Sequence, residues 1–296
     1  MIKSSIGCGN MGIENLIDKE ELRKSIELIN QCKIPSPPQL LIDIKKELDS
    51  DDVNTKRLMS MIKQDIGLSS SILKLINSSF YNFDDEITSM EQAVTLIGQK
   101  NIKELILPPA YKLALSNTIK DFDKISEHSH LTGVIAEIIA REIETDLRGL
   151  FYLAGLFHDV GVIVLACKYP NYIELIEKHQ FSPITLPLYE KDKFDITHTS
   201  VGVLLAKKWG LPNDVCNAIF LHHQVYGIYL FEVSQATITI AAVLKLASFL
   251  QNKLLHGSSN EAHDECGLMY RNAMKELMID DDMLANIESE IHALNI

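Results

Sequence analysis

The stretch Leu131-Thr-Gly-Val-Ile-Ala-Glu-Ile-Ile-Ala-Arg-Glu-Ile143 decides the fold class. Leu131, Val134, Ile135, Ile138, Ile139 and Ile143 recur at i, i+3, i+4, i+7, i+8 and i+12. That spacing lines them along one side of a helix of 3.6 residues per turn. Working outward, Ala93, Val94 and Ile97 begin a similar stripe, which Gly98 interrupts. Leu58, Ile62, Ile72, Leu73 and Ile76 belong to two short helices split near Asp65–Gly67. No segment alternates apolar and polar residues over a strand's length, and no Asn-Gly or Asp-Gly hairpin turn occurs. The expectation is an all-α, multi-helix bundle.

Proline and glycine mark the breaks. Ile34-Pro-Ser-Pro-Pro38 ends an opening helix and starts the next, and Pro108-Pro109 is expected to break the chain after the first helical group. Phe181 to Thr197, with Pro183 and Pro187 among polar residues, reads as a long surface connection. Gly257-Ser-Ser-Asn260 opens a terminal segment. From Asn252 to Ile296 there are three basic and nine acidic residues, half of the net charge of −12 carried by all 296 residues. Asp280-Asp281-Asp282 suits a loop or a helix N-terminus, where the helix dipole favours acidic side chains.

An apolar fraction of 46% excludes wholesale disorder. The acidic balance argues against a general nucleic-acid binder, which needs a basic footprint. The first twenty residues hold Glu14, Asp18 and Glu20 and no continuous apolar run, so no secretion signal is read there. The richest apolar window, Ile238 to Leu250, contains Lys245 and falls short of the roughly 18 to 20 apolar residues of a membrane helix. Cys8, Cys32, Cys167, Cys216 and Cys266 stand singly, without a Cys-x-x-Cys pair. Reduced, apolar-filling thiols in a cytoplasmic protein without a membrane span are expected.

Histidines carry the chemistry. They fall as His128 and His130, His158-Asp159, His198, and His222-His223. Neutral imidazoles with a carboxylate are ligands for zinc, manganese or iron. His158-Asp159, just before Gly161, would sit at the end of a helix, where both side chains can turn into one pocket. His222 and His223 can do so only if their helix ends or bends, since helical neighbours point about 100° apart. The bland alternatives are hydrogen-bonded core histidines, and an Asp159 that caps the amides of the next turn.

These residues resemble a known family. Gly155-Leu-Phe-His-Asp-Val-Gly161 looks like the signature of the HD phosphohydrolase superfamily. Several further segments resemble the HDOD domain in order, with Ile66 where that family has proline: Ile34-Pro-Ser-Pro-Pro38, Ile62-Lys-Gln-Asp-Ile-Gly-Leu68, Leu73-Lys-Leu-Ile-Asn-Ser-Ser-Phe-Tyr81 and Ile87-Thr-Ser-Met-Glu-Gln-Ala-Val-Thr-Leu-Ile-Gly98. Thr197-His-Thr-Ser-Val-Gly202, Trp209-Gly-Leu-Pro212 and Ala218-Ile-Phe-Leu-His-His223 continue the register. The likeness runs from about Ile29 to Leu250. It implies an N-terminal helical subdomain (1–116) packed on a divergent HD-like helical subdomain (117–251); the acidic segment (252–296), expected to be helical, lies outside the likeness. The likeness also implies a bacterial signal-transduction module that binds a protein partner.

The resemblance further implies a divalent-metal site (Fe, Mn, Zn or Mg) at His128, His158, Asp159, His198, His222 and His223. Two positions depart from active relatives such as the HD-GYP cyclic di-GMP phosphodiesterases. Val162 stands where a lysine could meet phosphate charge, and Ser248 where the closing aspartate lies. The Gly-Tyr-Pro motif is absent after His223. These losses favour a non-catalytic regulatory module, with no catalytic residue assigned. The surviving ligand set keeps metal-dependent phosphohydrolase or cyclic-dinucleotide phosphodiesterase activity as the second reading.

Overall fold

The computed structural model describes residues 17–32, 37–50, 52–77, 86–98, 102–118, 122–145, 147–179, 185–225, 232–256 and 265–294. Helices and their connections account for all of these residues, with no strand among them. In chain order the helices are α1 (Lys19–Gln31), α2 (Gln39–Leu48), α3 (Thr55–Lys63), α4 (Ile66–Ile76), α5 (Met90–Ile97), α6 (Ile102–Thr118), α7 (Phe122–Glu142) and α8 (Arg148–Phe157). They continue as α9 (Val160–Lys168), α10 (Tyr172–His179), α11 (Thr185–Phe194), α12 (His198–Lys208), α13 (Asn213–Leu221), α14 (Gln235–His256), α15 (Glu265–Glu276) and α16 (Asp281–Ala293).

Local chemistry sets the helix ends. Asp65 caps α4, its Oδ1 accepting the Leu68 N–H at 2.9 Å, which divides α3 from α4 as their apolar pattern implied. Ser89 and Gln92 form a reciprocal capping box at the start of α5. Gly98 ends α5 with φ +79°, a conformation that costs glycine little. Asp280 accepts the Met283 N–H at 2.9 Å, so the acidic triplet is a helix N-terminus. Most of Ile34–Pro38 and all of Gly257–Asn260 lie outside the described residues, as does the end of the Leu73–Tyr81 motif.

Three expectations fail. Pro108 and Pro109 do not break the chain: both lie inside α6. Each proline forfeits one backbone hydrogen bond. That loss is offset by tertiary burial, since Leu105, Ile106, Leu107, Ala110 and Tyr111 are all buried. The Phe181–Thr197 connection contains α11, anchored by the fully buried Glu190. Two stretches, Leu150–Lys168 and Gln235–Leu255, do meet the length and apolarity of a membrane span. The first is α8 plus α9, bent at His158-Asp159, and both are mostly buried within the molecule (78% and 67%).

Helices α2 to α6 pack mainly on one another, and α7, α8, α9, α12, α13 and α14 form the larger layer around the histidines. Apolar packing is continuous between the two. Tyr111 of α6 joins them: its ring meets Phe157 edge-on at 5.4 Å and Trp209 at 6.4 Å, and its hydroxyl donates to the Trp209 carbonyl at 3.2 Å. Helix α1 lies against α12 and α9. The acidic α15 and α16 turn Ala273, Leu277, Ile279, Ile287 and Ile291 inward, against α14 and α7. Their acids face out, where Glu290 pairs with Arg141 at 2.5 Å and Glu288 with Lys253 at 2.9 Å.

Two glycines in the His-Asp signature bring helices into close contact. A Cβ on Gly155 would lie 2.4 Å from the Gly133 Cα, so α8 and α7 touch backbone to backbone. A Cβ on Gly161 would lie 1.9 Å from the His198 carbonyl oxygen, so α9 and α12 do the same. The turn between α8 and α9 is thereby fixed against the start of α12.

Candidate metal centre

Each candidate ligand sits where a helix begins or ends, except His128 in mid-α7. His158 ends α8, Asp159 precedes α9, His198 opens α12, and His222-His223 follow α13. A terminus lets adjacent residues aim at one point, which a continuing helix forbids. The Asp159 carboxylate does not cap α9; it makes no hydrogen bond to the amides there. It faces imidazoles instead. Its Oδ2 lies 3.1 Å from His158 Nε2 and 3.7 Å from His128 Nε2. Its Oδ1 lies 3.7 Å from both His198 Nε2 and His222 Nε2. His223 Nε2 is 3.0 Å from His198 Nε2. His130, two residues from His128, points elsewhere and meets the Tyr152 hydroxyl at 2.7 Å.

Three rings are held the same way. His158 Nδ1 meets the Gly155 carbonyl at 2.7 Å, and His222 Nδ1 the Ile219 carbonyl at 2.6 Å. His198 Nδ1 meets both Glu190 oxygens, at 2.9 and 2.8 Å. A carbonyl or carboxylate can only accept, so Nδ1 carries the proton. In the neutral ring Nε2 then offers its lone pair to the shared point. His222 Nε2 is buried without a hydrogen-bond partner, and so is His223 Nδ1. Two donors each about 2.1 Å from one ion stand roughly 3.0 to 3.6 Å apart at the usual ligand angles. The spacings at Asp159 fit that range within a few tenths of an ångström. Two groups, Asp159-His198-His222-His223 and His128-His158-Asp159, could each hold a metal ion.

His128 is held in the opposite sense. Gln251 Nε2 donates to His128 Nδ1 at 3.0 Å and to the His128 carbonyl at 3.2 Å, while Gln251 Oε1 accepts from Thr132 at 2.5 Å. An accepting Nδ1 places the neutral ring's proton on Nε2, facing Asp159. His128 also stands at the rim, its side chain 39% exposed.

Electrostatics follow from burial and crowding. Burial alone would raise the Asp159 carboxyl, but its electrostatic interaction with the surrounding imidazoles, His158 first, holds it well below its usual range. Desolvation pushes His222 down to about 4 and His223 well below an ordinary histidine, where the His222 and His198 charges add to it. His198 goes the other way, since Glu190 outweighs its burial and raises it. The unit is a carboxylate that stays charged among rings of which most stay neutral. That donor set is ready for a cation.

Beside His223, the one candidate ligand on its wall, opens a cavity of about 370 Å³, lined also by Glu21, Leu188, Thr197, Thr199, Ser200 and Phe220 among others. No lysine or arginine is among its described lining residues. Glu21 accepts from Ser200 Oγ at 2.6 Å and pairs with Lys191 at 2.7 Å. Val162 is buried. Lys245 of α14 is buried too, donating to the Gln224 carbonyl at 2.6 Å, and desolvation lowers its pKa to about 8. Ser248 lies three residues before Gln251, on the same face of α14.

Sequence reading missed Glu190, Tyr172, Gln251 and Glu21. None has a motif of its own, and Glu190 was hidden in the supposed loop. The thiols are as expected in part: Cys32, Cys167 and Cys216 are free, but Cys167 is exposed. Cys8 and the Cys266 side chain lie outside the described residues.

Among solved structures, the chain is similar to an HDOD domain protein of unknown function from Geobacter sulfurreducens (TM-score 0.68, 22% identity, 92% of this chain and 97% of that one). It is similar to a candidate signal transduction protein from Marinobacter aquaeolei VT8 (0.66, 21%, 96% and 64%). It also resembles a candidate metal-dependent phosphohydrolase from Shewanella amazonensis SB2B (0.59, 19%, 93% and 100%). At these identities the likeness shows the fold. Curated relatives in Treponema pallidum (strain Nichols) and Bacillus subtilis (strain 168), both uncharacterized, match at 27% over 65% of this chain and 29% over 41%. The chain spans about a third of their length, 38% and 30%. The family model described as the HDOD domain matches residues 34–225, more than half of the sequence. With the fold and the ordered motifs, that match settles membership: this chain belongs to the HDOD domain family.

Proposed function

We propose that this protein is a non-catalytic, metal-holding regulatory module of a bacterial signalling pathway, acting in the cytoplasm by binding a protein partner. The metal would sit among His158, Asp159, His198, His222 and His223, with His128 at the rim. An imidazole-rich donor set suits zinc, iron or manganese better than magnesium, which prefers oxygen. The N-terminal helices (1–116) and the C-terminal segment (252–296) would supply surface to the partner, around the HD-like part (117–251). The similarity to a candidate signal transduction protein supports the signalling role.

The observation that carries the non-catalytic reading is the cavity that opens at His223, with no cation on its described walls. Phosphoester hydrolysis draws on positive charge at the phosphoryl oxygens, from the metal and from cationic side chains beside it, as well as on a metal-activated water. Here Val162 offers none, Lys191 is engaged by Glu21, and Lys245 is buried against Gln224. A bound ion would then serve chiefly to hold four helix termini together. The second reading, a metal-dependent phosphohydrolase, rests on the ligand set itself and on the likeness to a candidate enzyme of that class.

Elemental analysis of the purified full chain, with His158→Ala beside it, tests both readings. The expected result is bound zinc, iron or manganese that the variant lacks, with no turnover of nucleotides or cyclic dinucleotides under any of these ions. Turnover abolished by His158→Ala would replace this reading with the hydrolase. A chain that stays metal-free after loading would end both.

A further inference from the structure

We propose that Glu190 is a positioning residue of the centre: it fixes the His198 ring so that Nε2 faces Asp159. Glu190 and His198 are both fully buried. One carboxylate receives three donors there. Tyr172 donates its hydroxyl to Oε1, the His198 backbone N–H reaches Oε2 at 2.8 Å, and His198 Nδ1–H reaches both oxygens at 2.9 and 2.8 Å. The backbone contact fixes where α12 starts, and the ring contact fixes the rotation of the imidazole. Together they set His198 Nε2 at 3.7 Å from Asp159 and 3.0 Å from His223.

Two of the three donors, the His198 backbone N–H and Nδ1–H, can only donate, so the group facing them must accept at both. Glutamine can satisfy both by turning its NH2 to the Tyr172 hydroxyl, which can accept, so the variant that removes the acceptor is an unbranched apolar one, methionine. Aspartate is one methylene too short to span α11 and α12. A buried carboxylate on the far nitrogen of a ligand histidine both orients the ring and raises its basicity, and losing such a partner typically weakens metal binding 10- to 100-fold. His158 and His222 take backbone carbonyls in that role. Among the three, His198 alone is tied to an ionisable side chain, one supplied by α11.

The affinity part of this inference rests on the metal-holding reading; the orientation of the ring does not. The test uses the full chain, zinc competition against a chelator, and proton exchange at the His198 ring, assigned by its loss in His198→Asn. Wild type should show an Nδ1–H resonance protected from exchange. Glu190→Met, which removes the acceptor at similar length, should lose the protection and bind zinc 10- to 100-fold more weakly, with unchanged helix content. Tyr172→Phe, which leaves the carboxylate on His198, should keep the resonance and lose far less affinity. A Glu190→Met protein with wild-type zinc affinity and a protected ring proton would overturn the proposal. If wild type binds no zinc yet Glu190→Met still loses the protected proton, the metal reading fails and the positioning role stands.

Discussion

His222 and Asp159 show how a single environment separates two titrating groups. His222 is 3% exposed and its Nε2 has no hydrogen-bond partner, so its charged form is costly. Burial pushes it down to about 4, from an ordinary value of 6.5. Unfolded, the ring takes up a proton near pH 6.5; folded, it resists until about pH 4. The unfolded state therefore binds more protons across that window, and stability rises with pH through it. The metal-free protein should lose stability as pH falls from about 6.5 to about 4, by up to roughly 3 kcal/mol from this ring. His130, also lowered to about 4 by desolvation, adds to the loss. His198, raised by Glu190, opposes it, because its contribution is present at low pH and fades as pH rises through its raised value. Urea midpoints against pH should show the acid limb, and His130→Gln should shallow it. A flat profile over that window would mean that the rings are not desolvated as the packing implies.

Among the elements, the junctions matter more than the helices. The α8–α9 turn presents His158 and Asp159 only because α9 can press against α12, and Gly161 makes that approach possible. Gly161→Ala would set a methyl group 1.9 Å from the His198 carbonyl. Backbone must move, and overpacking of this kind costs about 1–3 kcal/mol. Because the displaced carbonyl belongs to His198, metal affinity should fall as well. Gly202→Ala is the control in the same interface, since its nearest neighbour would be the Ile219 side chain at 3.3 Å, which can give way. Its melting temperature and metal content should stay closer to wild type. Equal losses in the two variants would disprove a specific role for Gly161.

Across the whole molecule, charge and packing separate cleanly in the C-terminal segment. Half of the net charge lies there, which from sequence alone suggests an acidic appendage. Yet α15 and α16 bury Ala273, Leu277, Ile279, Ile287 and Ile291, and each large apolar side chain of this set contributes about 1.5–3 kcal/mol when fully buried. Part of that gain is offset by the entropy of ordering two helices. Deleting residues 257–296 should still cost a few kcal/mol and lower the melting temperature on the order of 10 °C. An unchanged melting curve would restore the appendage view. The acids outside remain available for a basic partner, whose capture would then weaken with salt.

The helical class, the apolar stripes, the helix break near Asp65–Gly67, the suitability of Asp280–Asp282 for a helix start and the family register were legible in the sequence, because they depend on neighbours within a few residues. So were the six candidate ligands by residue type, and the need for His222-His223 to lie at a helix end. What tertiary structure decided is everything that depends on distant partners. It carried α6 through Pro108-Pro109, since burial outweighs two lost backbone bonds. It made a helix of the supposed loop and put Glu190 behind His198. It turned Asp159 from a helix cap into the hub of the imidazoles, moved His130 to Tyr152, and gave His128 an opposite proton position through Gln251. Local pattern specifies which helices form; only their packing specifies which nitrogen lone pairs face one another.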